Sequence, residues 1–158
     1  MISALICTLD DERRLAGTLS ALVPAAVDGL VRQVVVVDAG SRDATLEIAD
    51  DAGALLVRNG LPAALGAALQ PWVLVLDPGA RLTPGWERPV HAHMTATPVR
   101  AGRIVLDQKG LLARALRPPK TVGILAPKAM AIGWKGGIAE MARVLRPVKL
   151  PIGAVLEP

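Results

Sequence analysis

Apolar and polar positions switch between two periodicities along the first ninety residues. Residues 2–7, reading ISALIC, are a short apolar run of strand length, and the acidic trio Asp10, Asp11 and Glu12 behind them suits the start of a helix. Leu15, Leu19, Leu22 and Val23 then recur at helical spacing, and Pro24 is expected to end that helix. Residues 33–37, reading QVVVV, form a β-branched run with no polar face, as an interior parallel strand requires. The turn Ala39, Gly40, Ser41 leads into a second helix carrying Leu46, Ile48 and Ala49, with Ser41 or Asp43 as its cap and Gly53 beyond its end. A third strand over 54–57, a short helix over 63–69 and a fourth strand over 72–76 complete a β-α-β-α-β-α-β order. That order predicts an α/β fold, a mostly parallel sheet flanked by helices and joined by right-handed crossovers.

At 158 residues the chain is expected to form one domain, and with 52% apolar and 20% charged residues it has ample material to bury. It contains three Trp but no Phe or Tyr, so Ala, Leu, Val and Ile must fill the core. The aromatic platforms on which single-stranded nucleic acid stacks are nearly missing, which argues against a nucleic-acid partner. Cys7, the sole cysteine, excludes an internal disulfide and is expected to be a small core residue. The first residues read as no signal peptide, and the uncharged stretch 60–76 is broken by Pro62, Gln70 and Pro71, so a cytoplasmic location is expected. Charge is divided unevenly: residues 1–98 balance to −4 and residues 99–158 to +8, with all five lysines in the second part. This basic half suits phosphates, an acidic partner or peripheral contact with an anionic membrane.

Ligands of parallel sheets bind at the carboxyl ends of the strands, and the polar residues fall there. Thr8, Asp10 and Asp11 follow strand one, Asp38 and Ser41 follow strand two, and Asp77 follows strand four. Singly, each reads as a helix cap or turn former; together they form a set of acceptors suited to a ribose, a base N–H or a cation on a diphosphate. The runs SALICTLDDE, VVVVDAGSRDATLEIA and WVLVLDPGARLTPGW resemble the nucleotide-diphospho-sugar-binding half of family 2 glycosyltransferases, over residues 2–88. The resemblance implies a Rossmann-like GT-A fold, with a nucleotide-binding half over 1–98 and a basic, acceptor-side half over 99–158. It also implies that residues 8–11, including Thr8, Leu9 and Asp11, line the nucleobase. Asp38 would contact the base or ribose, Ser41 would stand in the turn beside it, and Asp77 would be the first acid of a metal motif for Mn²⁺ or Mg²⁺. The third position of that motif is Gly79, so one carboxylate stands where the family has two.

In the second half, Glu140 follows Gly136 and Gly137 where relatives begin an acidic pair, and Met141 occupies the position of the base. If the chain is an enzyme, an acceptor hydroxyl attacks the anomeric carbon of an activated sugar and a nucleoside diphosphate leaves. Lys120, Lys128 or Arg117 would then clamp the phosphates electrostatically, and Glu140, His91 or His93 would take the proton. His91 and His93 lie two apart on a helix after Pro84, so they do not share a face and read first as surface residues. Trp72 and Trp86, on either side of Asp77, read as packing residues, and the glycines of 133–137 as a flexible loop. Residues 8–14 contain no Gly, which disfavours a nucleotidyltransferase with a phosphate-wrapping loop after strand one. Two functions remain: a glycosyltransferase acting on a nucleoside-diphosphate sugar and an unidentified acceptor, or a scaffold of that fold that binds a nucleotide or a partner protein without transfer.

Overall fold

Each apolar run of the first half becomes a strand of one sheet. In the computed structural model, which describes residues 1–107 and 119–156, β1 (Ile2–Thr8) lies between β2 (Val31–Asp38) and β4 (Trp72–Leu76), with β3 (Leu55–Val57) outside β2, all four parallel. They are linked by α1 (Glu12–Val27), α2 (Thr45–Asp51) and α3 (Gly60–Ala67). The first helix runs one turn further than the sequence suggests, with Pro24 inside it. Proline removes one intrahelical bond, the one to the carbonyl four residues back. Here Ser20 and Pro24 are both exposed, on the side of α1 away from the core, and the helix continues to Val27.

The basic half does not form a layer of its own; it widens the same sheet. After β5 (Ala80–Leu82) and α4 (Glu87–Thr95) come β6 (Gly102–Leu106), β7 (Thr121–Pro127), the short α5 (Lys128–Ala131), α6 (Ile138–Leu145) and β8 (Val148–Leu156). The eight strands stand in the order β3-β2-β1-β4-β7-β6-β8-β5. Strand β7 is antiparallel to both β4 and β6, β8 runs parallel to β6, and β5 closes the far edge antiparallel to β8.

Alternation along the strands divides the apolar side chains between two faces. Ala4, Ile6, Val36, Leu74 and Leu76 pack with Leu15 and Leu22 of α1, whereas Leu5, Val35, Val37, Val73 and Val75 pack with Leu61 and Leu65 of α3 and with Ile138 and Met141 of α6. Close approach fixes one interior glycine: a Cβ at Gly123 would meet Leu76 Cδ2 at 2.8 Å. No helix among the described residues is long and apolar enough to cross a membrane.

Candidate functional site

The carboxyl ends of β1 and β2 pair in register, Thr8 opposite Asp38, and the segments leaving them are tied to each other. Ala39 N–H donates to the Thr8 carbonyl at 3.0 Å, and the buried Thr8 hydroxyl donates to Val37 O at 3.4 Å. Asp10 N–H donates to Ser41 Oγ at 2.9 Å, and Arg42 N–H returns a bond to Asp10 Oδ1 at 2.7 Å. Asp11 N–H reaches Thr45 Oγ1, Glu12 N–H reaches Asp43 Oδ2, and Ala44 N–H reaches Glu12 Oε2. Asp10 adopts φ +52°, a left-handed conformation that Asp tolerates better than most residues. The polar side chains of the two segments thus satisfy the free amides at the starts of α1 and α2 and hold the two helix starts side by side.

Asp38 is 3% exposed. Its carboxylate accepts from Gly40 N–H and Ser41 N–H, each at 3.0 Å. Burial pushes this carboxyl up, but the Ser41 hydroxyl, the Ser41 and Gly40 amides and the charge of Arg58 together outweigh it, so the group is held below the usual carboxylate range. Asp43 is also held low, first by the Thr45 hydroxyl. Asp11 accepts from Leu9 N–H at 3.1 Å and pairs with Arg14 at 3.6 Å, while the Leu9 side chain is exposed. Asp10, Asp11, Glu12, Arg13, Arg14 and Asp43 line an open cleft of about 330 Å³. Asp38 and Asp77 do not line it, so the strand-end acids share an edge without all facing this hollow.

Across β1, the turn after β4 carries Asp77. Lys120, one residue before β7, places its ammonium 3.1 Å from Asp77 Oδ2. Backbone bonds fix this meeting: Asp77 N–H donates to Val122 O, and Leu106 N–H donates to Lys120 O, each at 2.9 Å. Gly79 has φ +84° and its amide donates to Arg14 O at 3.1 Å and to Thr18 Oγ1 at 2.9 Å, so this motif position is committed to docking the turn on α1. Cys7 corrects an expectation. It is exposed, not a core residue, at the carboxyl end of β1 between Val37 and the charge of Asp77. Desolvation by neighbouring atoms, then the charge of Asp77, raises its thiol above the ordinary value.

The other expected residues lie elsewhere. Lys128 sits at the opposite, amino edge of the sheet, since β7 runs against β4 and Pro127 pairs with Trp72. There its ammonium donates to Ala68 O at 2.6 Å and Gly66 O at 3.3 Å, capping α3, and it is not beside Asp77. His93 is at that amino edge too, edge-on to Trp72 with ring centroids 6.1 Å apart, and its Nε2 lies 2.9 Å from Arg100 O; His91 is exposed. Trp72 and Trp86 are both buried in the core. Met141 is fully buried against the sheet, and Glu140, exposed one residue earlier, lines a cleft with Gly133, Trp134, Lys135 and Gly136 that includes none of the strand-end residues. Arg117 lies outside the described residues. Sequence reading missed two cations: Arg58, directly after β3, and Arg14, in the first turn of α1. Arg13 and Arg14 directly follow the acidic run, which was the signal available for the second.

A mostly parallel sheet with helices on both faces, widened by antiparallel β7 and with its acidic turns at the carboxyl edge, defines a fold of the GT-A type. Among solved structures, glucosyl-3-phosphoglycerate synthase from Mycobacterium tuberculosis is similar over the whole chain. Its complex with Mn²⁺, UDP and glucosyl-3-phosphoglycerate superposes with a TM-score of 0.68 at 19% identity, covering 100% of this chain and 72% of that one. Its complex with Mn²⁺, UDP and phosphoglyceric acid gives 0.71 at 20% identity, and its complex with Mn²⁺ and UDP-glucose gives 0.71 at 19%, each covering 100% of this chain and 71% of that one. At such identity the likeness establishes the fold. No family model and no curated protein matches the sequence.

The donor set at the β4 turn fits a divalent cation poorly. Such ions take six or more oxygens, and beside a nucleotide one or two carboxylates join the phosphates and several waters. This turn offers one carboxylate, already facing an ammonium, and no group of three His, Cys, Asp or Glu residues among those described is placed to hold a metal.

Proposed function

We propose that the protein binds a nucleoside-diphosphate sugar at the carboxyl edge of β1, β2 and β4, as a glycosyltransferase-like protein related to family 2. The observation that carries this reading is the joining of the post-β1 and post-β2 segments into one rigid polar shelf, with Asp77 and Lys120 beside it, in a fold of GT-A type. On this reading Thr8, Asp11, Asp38 and Ser41 shape the nucleoside end, and Arg58 and Arg14 bring positive charge to it. The basic half keeps anionic ligands attracted by its +8 balance. The similar solved structures hold UDP or UDP-glucose, which makes UDP the first probe.

Transfer requires more than binding. The acceptor oxygen must bond to the anomeric carbon as the diphosphate oxygen leaves, and the acceptor proton must go to a nearby base. Glu140 is the carboxylate assigned to that role, and its cleft shares no lining residue with the shelf. With Met141 packed in the core, this geometry favours nucleotide binding without transfer as the second reading. Calorimetric titration with UDP, UDP-glucose and GDP tests the first part, and heat with at least one of them is expected. Silence with all three overturns the nucleotide reading. Sugar hydrolysis or transfer lost in Glu140→Gln, with UDP affinity unchanged, would establish the enzyme over the binding protein.

A further inference from the structure

We propose that this edge binds the diphosphate of its nucleotide without a divalent metal, the Lys120 ammonium supplying the positive charge opposite Asp77; the inference rests on the nucleotide reading above.

Three observations converge on Lys120. First, the turn that carries Asp77 has no second oxygen donor among its side chains and no room to gain one cheaply. Pro78 and Gly79 have none, and Gly79 is held left-handed at φ +84°, buried, with its amide shared between Arg14 O and Thr18 Oγ1. Any L-residue there would be strained. Second, the ammonium is placed by the sheet itself. Register pairs Leu76 with Gly123, and Lys120 is bonded through its carbonyl to β6, so its Cα is set on the strand end where the phosphates of an edge-bound nucleotide would lie. Third, the pair is open to water: the Lys120 side chain keeps 59% of its surface exposed and the Asp77 side chain 29%. An ion pair this exposed is weak. Lys120 is therefore not locked to Asp77, and its three N–H donors on a flexible stem are free to turn to a phosphate while Asp77 keeps the ammonium at the edge. A divalent cation at Asp77 would gain a single carboxylate and sit beside the Lys120 ammonium, a like charge.

The test titrates UDP into the full chain in EDTA and again in excess Mn²⁺. Affinities within about threefold of each other are expected. Lys120→Met should weaken UDP binding in EDTA by about tenfold or more and flatten its dependence on salt, because one charge-assisted contact is lost. Lys120→Arg should retain most of the affinity, and Lys128→Met, at the opposite edge, should leave it unchanged. Melting curves of each variant separate a lost contact from a lost fold. UDP binding that requires Mn²⁺ overturns this inference and leaves the nucleotide reading standing. Metal-free binding unaltered in a folded Lys120→Met protein also overturns it. Absence of binding under both conditions by UDP, UDP-glucose and GDP alike removes the inference together with the reading beneath it.

Discussion

Asp38 shows how one side chain serves both the fold and the proposed site. Its carboxylate satisfies two backbone amides at 3% exposure, so Asp38→Ala would leave Gly40 and Ser41 N–H groups without that acceptor and should cost about 1–3 kcal/mol, measurable by urea unfolding. Because its folded value lies below that of an unfolded Asp, about 3.9, its stabilisation is present above that pH and is lost as pH falls through the folded value. Acid unfolding of the wild type should therefore steepen below about pH 4, and Asp38→Asn should show a shallower acid limb. Cys7 reports on the other side of the edge. Its raised thiol predicts slow alkylation near neutral pH, with a midpoint above the ordinary cysteine value. Asp77→Asn removes the opposing charge, so alkylation should speed up and its midpoint should move down; an unchanged pH profile would show that the two groups do not interact.

The elements of the first half were legible because each carries its own period. The β-branched run in β2 and the fully apolar β4 can be satisfied only inside a sheet, and the acidic groups behind β1, β2 and β4 mark where chain direction changes. Helix ends were less legible. Pro24 signals a stop, yet the exposure of its face, a tertiary fact, lets α1 continue to Val27. The strands of the second half were not legible, since β7 reaches its place between β4 and β6 through pairings distant in sequence, and an antiparallel strand leaves no mark of its neighbours. Gly123 is a position in β7 where that packing leaves no room for a Cβ. Gly123→Ala should push against Leu76 and Ile104 and cost about 1–3 kcal/mol in thermal or urea unfolding, whereas Gly137→Ala, with nothing within 4 Å, should cost much less.

At the scale of the molecule, the sheet order explains which candidate residues meet. Reversal of β7 carries Lys120 to the carboxyl edge and Lys128, eight positions later, to the amino edge, so two lysines alike in sequence have unrelated roles. The same placement sets His93 against Trp72, far from Asp77 along β4. Sequence alone conveyed the edge of the site, its acids and Lys120 as one of three candidate clamps; that Lys120 and not Lys128 faces Asp77 follows from the reversal of β7, and Arg58 beside Asp38 was visible only in space. Occupancy of this edge by a nucleotide is directly measurable through the single cysteine. The alkylation rate of Cys7 should fall severalfold when UDP is added, in the presence of EDTA; a rate unchanged at UDP concentrations that saturate the calorimetric signal would place the nucleotide away from the carboxyl edge of β1, β2 and β4.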